Sequence, residues 1–297
     1  MPPSALVLVL LAALMHALWN LLLKGSQNRM RTAWLASAVG GLLGLPFILL
    51  GDPAPLRSWG FAAVAALIEV VYLTLLSAAY ARGDFSAVYP LARGSAPALL
   101  AVWAALLLGE SPSAAGWLGL ALLLSGLVLI GLTAANGEGA SRQAVVLALG
   151  VALTISCYSI VDAAGVRAAP AAAPYTAGRF LITAVAMTPV ILWRRAPMGQ
   201  GERESPPHLL SPSPPPRFSL SPALRIIVIG ALSVTAYSLV LAAYAIAPVA
   251  YAGAIREVSV VFAAVIGWRW LGESFGPTRL LGSLAIFGGI LLIALAG

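Results

Sequence analysis

Ten stretches of this chain are apolar on every face and long enough to cross a lipid bilayer, and no other feature limits its fold so tightly. About 20 apolar residues cross the hydrocarbon layer. On that measure the spans run over 4–23, 32–50, 60–80, 86–108, 114–134, 144–164, 173–193, 224–246, 249–271 and 276–296. A backbone in lipid must satisfy its own hydrogen bonds, so runs of this kind are helices. The expected fold class is an all-α integral membrane protein of ten transmembrane helices. Charged residues make up 9% of the chain and hydrophobic ones 61%, where a soluble domain carries about 25% charged residues.

The remaining composition removes several function classes. A formal net charge of +7 invites a nucleic-acid reading, but the basic residues sit at span ends and form no stripe interleaved with aromatics. The single Cys157 lies inside a span, so neither an intramolecular disulfide nor a cysteine-rich metal site can form. The first run lacks a basic leading segment and a small-residue cleavage site, and reads as a retained first helix rather than a secretory signal. One connection, 194–223, is long; its "SPPHLLSPSPPPRFSLSP" is too rich in Pro and Ser to pack and reads as a solvated linker.

Internal repetition organises the spans. "LLGES" at 107–111 recurs as "WLGES" at 270–274, an offset of 163. The same offset carries Arg93 onto Arg256, Gly119 onto Gly282, Gly126 onto Gly289 and Ile130 onto Ile293. Residues 16–20 pair with 158–162, and Pro46 with Pro189. The chain therefore reads as two repeats, 4–134 and 144–296, of five spans each, with the 194–223 loop inside the second. Five is odd, so the second repeat enters the membrane from the opposite side. Inverted repeats of this kind build secondary transporters, with the substrate site near the midplane between the halves.

"HALWNLLLK" (16–24), "AAYARGDFSAVYPLARGSAPAL" (78–99) and "LLLGES" (106–111) resemble the EamA family of the drug/metabolite transporter superfamily, over nearly the whole chain. That resemblance implies a ten-helix secondary carrier, working by alternating access in a bacterial cytoplasmic (inner) membrane, on a small metabolite or drug. Family members move very different solutes, so the mechanism class follows more closely than the substrate. Small four-helix relatives carry a membrane-embedded glutamate in their first helix; His16 stands in the corresponding helix of this chain.

The ionisable residues inside spans are His16, Glu69, Arg93, Asp162, Arg179, Arg256 and Glu257. Each costs about 2.5–3.5 kcal/mol at mid-bilayer and so needs a partner, a wet cavity or a function. Arg93 lies about 10 Å inside its span, and Arg256 as deep from the opposite face. Two readings stand side by side. Arg93 and Arg256 could face a cavity and hold an anionic group through their guanidinium forks. Alternatively, Glu69, Asp162 and Glu257 could neutralise the three arginines as ion pairs that fix helix packing.

Other residues sort by position. Pro90 and Pro97 each free a carbonyl four residues earlier and kink the helix around Arg93, while Gly94 and Ser95 permit close helix approach. His16 is either a proton carrier or a hydrogen-bonded packing residue; Trp19 and Asn20 lie one turn along. Tyr72, Tyr80, Tyr89, Tyr158, Tyr237, Tyr244 and Tyr251 could line a cavity or simply pack. Lys24, Glu110 and Glu273 sit at helix ends, where topological or capping roles are expected.

With two histidines, one of them His208 in the linker, and neither HExxH nor a phosphate loop, catalysis and ATP-driven pumping have no candidate residues. No cofactor or metal is expected. The expected partners are a small-molecule substrate and the lipid bilayer, with a homodimer an option and no nucleic acid. A membrane-embedded enzyme is the main alternative from another class, and a passive channel or non-transporting scaffold is a further one. Loops after odd-numbered spans hold Lys24, Arg29, Arg31, Arg82, Arg142, Arg194, Arg195, Arg203, Arg217, Arg225, Arg269 and Arg279, against Arg57 and Arg167 after even-numbered ones. The positive-inside rule then places the linker in the cytoplasm and both termini outside, whereas the resemblance implies termini inside. The charge asymmetry is the stronger indication.

Overall fold

The structure, a computed structural model, describes residues 1–24, 26, 28–80, 85–134, 142–193, 220–259, 261–262 and 277–296. Of residues 24, 77, 80, 85–91, 94, 130–134, 277–279 and 296 it describes the backbone alone. The described chain is helical, with no strand. In order the helices are α1 (Pro3–Lys24), α2 (Arg29–Leu43), α3 (Leu45–Leu50), α4 (Leu56–Tyr80), α5 (Phe85–Leu108), α6 (Ala114–Ala134), α7 (Arg142–Arg167), α8 (Ala172–Trp193), α9 (Pro222–Ile246), α10 (Val249–Arg256) and α11 (Pro277–Ala296). Among the described residues, six stretches are long and apolar enough to cross a membrane: Pro3–Leu23, Arg29–Leu50, Leu56–Leu76, Arg142–Arg167, Ala172–Trp193 and Pro222–Ile246. Ser95–Leu108, Ala114–Leu129 and Leu280–Leu295 add shorter apolar helix within three further expected spans. The linker at 194–219 lies outside the described residues.

Helix ends follow local chemistry. Asn28 caps α2 by accepting from the Arg31 N–H at 2.9 Å, and Ser221 caps α9, with Pro222 in the first turn. Gly109 ends α5 with φ +68°, a backbone state that glycine adopts without penalty. The Glu110 N–H then returns to the Ala104 carbonyl at 3.0 Å. The first half of the "LLGES" motif is thus a helix stop that throws Glu110 across the end of the bundle.

Two expected spans are not single helices. The second breaks at Gly44, because Pro46 cannot continue the hydrogen-bond ladder of α2 and instead sits in the first turn of α3. The ninth, expected over 249–271, ends its first helix at Arg256, and Glu257–Val258 form a turn. No proline marks that second break. Of the rest of that span, residues 260 and 263–271 lie outside the described residues.

The repeat is visible as a symmetry of contacts. Taking α1, α2, α4, α5 and α6 as the counterparts of α7, α8, α9, α10 and α11, each principal contact between the halves has its twin. α4 packs on α7 as α9 packs on α1, α5 on α7 as α10 on α1, and α2 on α9 as α8 on α4. α2 meets its own counterpart α8, and α6 meets α11. In this last pair an added Cβ on Gly119 would lie 2.9 Å from the Gly289 carbonyl, and one on Gly126 2.5 Å from that of Gly282. The rising number on α6 meets the falling number on α11, so the two helices run antiparallel. The pairing 119–289 and 126–282 exchanges with itself under the offset of 163, as a two-fold axis requires. Small residues drive such contacts in lipid, where apolar side chains gain nothing from leaving their solvent.

Polar side chains also bridge the halves. Trp34 Nε1 donates to the Ala184 carbonyl at 2.9 Å, Trp103 Nε1 to Ser156 Oγ at 3.1 Å and Ser58 Oγ to the Gly165 carbonyl at 3.0 Å. Large apolar side chains such as Leu50, Leu56, Leu106 and Leu295 point outward and are exposed, the arrangement a lipid-facing surface needs.

Gly126→Ala forces α6 away from the α11 backbone and lowers thermal stability by about 1–3 kcal/mol. At Gly60 an added Cβ meets nothing within 4 Å, and Gly60→Ala leaves the melting temperature unchanged or slightly raised. Thermal melting of the detergent-solubilised variants reads both.

Candidate functional site: two opposed charge clusters between the repeats

The seven ionisable residues in the spans gather into two groups. The first joins α4, α7 and α8. Arg179 Nε donates to both Asp162 oxygens, at 3.1 and 3.3 Å, while its Nη1 is ion-paired with Glu69 Oε2. Thr183 Oγ1 accepts from Arg179 Nη1 at 3.2 Å and donates to Glu69 Oε2 at 3.1 Å. Asp162 also accepts from Tyr175 OH at 2.8 Å and Tyr237 OH at 2.5 Å. The guanidinium lies over the rings of Tyr237 and Tyr158, 5.1 and 5.5 Å from their centroids, a placement that stabilises a desolvated cation. Asp162 is fully buried and saturated with donors. Glu69, whose side chain is 26% exposed, is the least buried of the three charges in the group.

The second group joins α1, α5 and α10. Glu257 takes Arg93 Nε on Oε2 at 3.0 Å and Arg256 Nε and Nη2 on Oε1, each at 3.3 Å. Arg93 Nη2 lies 3.0 Å from His16 Nε2. An arginine can only donate, so Nε2 accepts and His16 is the neutral tautomer with its proton on Nδ1. Trp19 sets its edge against the His16 ring at 4.8 Å, and Asn20 Nδ2 donates to the His16 carbonyl at 2.7 Å. The arginines related by the repeat offset thus share one carboxylate, held where α10 breaks. Broken helices at membrane depth occur where the backbone lines a cavity or packs on protein.

Formal charges differ between the groups. Glu69, Asp162 and Arg179 sum to −1; Arg93, Arg256 and Glu257 with neutral His16 sum to +1. Tyr158 feels the charges of both groups, those of Glu69 and Arg179 in the first and of Arg93 and Arg256 in the second. Tyr72 meets Tyr158 edge-on at 6.0 Å. Tyr237 bridges similarly, bonded to Asp162 and within range of Arg256. Tyr244, fully buried, lies near Arg256. Among the described residues Arg179 Nη2 is one of several buried side-chain atoms with no hydrogen-bond partner, an unsatisfied donor in the first group.

All seven ionisable candidates therefore enter one of the two groups, with Trp19, Asn20, Tyr72, Tyr158, Tyr237 and Tyr244 beside them. The side chains of Tyr80 and Tyr89 lie outside the described residues. Tyr175 and Thr183 complete the first group without having been singled out by sequence. Their signal was available: both face Asp162 and Glu69 from α8, four residues either side of Arg179, on one helix face. Tyr251 instead reaches the bundle end, where its hydroxyl accepts from the Ser113 N–H at 3.2 Å.

A third ion pair stands apart at that end. Glu110 Oε1 meets Arg167 Nη2 at 2.5 Å, and Oε2 accepts from the Val249 N–H at 2.6 Å, capping α10. Arg167 also donates to the Tyr244 and Ala247 carbonyls, at 2.8 and 3.1 Å. With side chains 31% and 17% exposed, this pair contributes at most about 1 kcal/mol as a charge pair. Removing one partner of a buried pair costs about 3–5 kcal/mol.

That difference sets an order among variants. Asp162→Asn leaves Arg179 short of its main counter-charge and costs about 3–5 kcal/mol. Glu69→Gln costs clearly less, because that side chain is only partly buried. Thermal melting of the two variants side by side checks the order.

A crystal structure among those that match superposes on this chain with a TM-score of 0.75 at 17% identity, over 99% of this chain and 98% of its own; the likeness is one of fold. No curated protein matches the sequence. The model of the EamA-like transporter family matches twice, over residues 3–132 and again over 142–295, each match falling on one of the two contact-related halves. The chain belongs to the EamA-like transporter family.

Proposed function

We propose that this protein is a secondary active transporter of a small metabolite or drug and works by alternating access, driven by an ion or proton gradient or by exchange. It carries the solute between the two five-span repeats, at the charged centre where α10 breaks, and performs no chemistry on it. The observation that carries this reading is the sharing of Glu257 by Arg93 and Arg256 at a helix break inside the membrane. A purely structural ion pair needs one arginine; the second leaves a net positive group beside a net negative one. Guanidinium donors there suit a solute's carboxylate or phosphate, and Glu69 with its partly exposed carboxylate suits a cationic group or a coupling proton. The setting is a bacterial cytoplasmic membrane, with the basic loops inside.

Arg93→Ala and Arg256→Ala should each reduce solute flux into proteoliposomes by about tenfold or more, the loss of one charge-assisted contact of about 1.5–3 kcal/mol, while folded yield falls less. Arg93→Lys should rescue poorly, since Nε and Nη2 serve different partners and a lysine has one nitrogen. Normal flux in both alanine variants removes the proposed site.

Orientation has its own test. With Cys157 replaced and Ser213→Cys introduced in the linker, an impermeant thiol reagent should leave intact cells unlabelled and label them once permeabilised. Labelling of intact cells puts the linker outside and reverses the assignment.

A further inference from the structure

We propose that Glu110 and Arg167 form the gate that closes one end of the transport pathway, at the face where α5, α7 and α9 end and α6, α8 and α10 begin. The inference rests on the carrier reading given above. Three observations carry it.

The contact joins the repeats to each other. Glu110 belongs to the first half, whereas Arg167, the Tyr244 and Ala247 carbonyls and the Val249 N–H belong to the second. One carboxylate and one guanidinium thereby tie together the ends of α5, α7 and α9 and the start of α10. The Ser113 N–H to Tyr251 OH contact repeats the tie between the same halves, three residues beyond Glu110 and two beyond Val249. A helix cap needs only the Val249 contact; binding Arg167 as well is what a closure between moving halves requires.

The position is also that of a gate rather than a floor. α10 runs from Val249, held by Glu110, to Arg256 at the charged centre. Eight residues of helix, about 12 Å, separate the tie from the site, so freeing the Val249 end releases the helix that carries Arg256.

Finally, the tie is built to open. Its two side chains are partly exposed, unlike the fully buried Asp162 and Glu257. On separation both charges regain water directly, and no unpaired ion is left in lipid. Among the ion pairs of the described residues, this one joins the halves and can break at small cost.

Two measurements test the proposal. Ser159 is buried on α7, about 12 Å inside Arg167. In a Cys157→Ser background, Ser159→Cys reports access to the interior by its labelling rate with a small water-soluble thiol reagent, without reference to any solute. Glu110→Gln keeps an acceptor for the Val249 N–H but loses the charge on Arg167, and should raise that rate about fivefold, a shift of about 1 kcal/mol in the open–closed balance, with the melting temperature retained. An unchanged rate overturns the gate. Independently, Glu110→Cys with Arg167→Cys, oxidised to a disulfide, should stop flux and recover it on reduction. Flux undiminished in the oxidised form also overturns the gate. If the parent protein moves no solute, the carrier reading fails, while the labelling rate still decides whether Glu110 and Arg167 control access.

Discussion

A charge in the hydrocarbon layer has to be met by an opposite charge from another helix, and the arrangement of this bundle follows from that requirement. Asp162 on α7 draws Arg179 on α8, which draws Glu69 on α4; Arg93 on α5 draws Glu257 beyond α10 and lies against His16 on α1. Each of these pairs crosses from one helix to another, and Arg179–Glu69 and Arg93–Glu257 also cross from one repeat to the other. The halves therefore cannot fold independently and dock later without leaving buried charge unmatched, at several kcal/mol per ion. Glycine contacts between α6 and α11 bring the backbones close, and the charge pairs fix which helices lie at the centre.

Matching is complete in sum and incomplete in place. Three acids and three arginines cancel over the whole centre, yet one group is short of a positive charge and the other short of a negative one. A polarised centre costs stability relative to an apolar core of the same volume, and a protein selected for packing alone has no reason to keep it. On the proposed reading, a solute that carries complementary groups would relieve the imbalance while bound. The partly exposed tie at the bundle end has the opposite energetics, since its charges are never far from water. Rigid charges in the middle and breakable ones at the rim are what a carrier needs to hold its site and move around it.

Much of this was legible in the sequence, for physical reasons that can be named. Span-length apolar runs reveal helices because lipid allows little else, and the offset of 163 reveals the repeat because Arg93, Gly119 and Gly126 recur with it. Intramembrane charge marked His16, Glu69, Arg93, Asp162, Arg179, Arg256 and Glu257, since such residues persist only with a purpose. Who pairs with whom was not legible: Arg179 and Glu69 are 110 residues apart, and helix packing decides the partner. The break after Arg256 was hidden because it lacks a proline; Arg93, its repeat counterpart, has prolines on both sides and stays within the continuous α5. Glu110 reads from sequence as a cap, and it is one. Its second task, holding Arg167, depends on two helix ends meeting in space.

The central claim is that opposed charge clusters between interlocked repeats serve coupled movement of a solute. Uphill accumulation tests this most directly: purified protein in sealed liposomes, an imposed ion or proton gradient or an excess of internal solute, and a panel of labelled metabolites outside. The account predicts that at least one solute rises inside above its external concentration and falls back when an ionophore or removal of the exchange partner abolishes the driving force. Solutes that only equilibrate, at the same rate with and without the gradient, would contradict it and leave a passive pore.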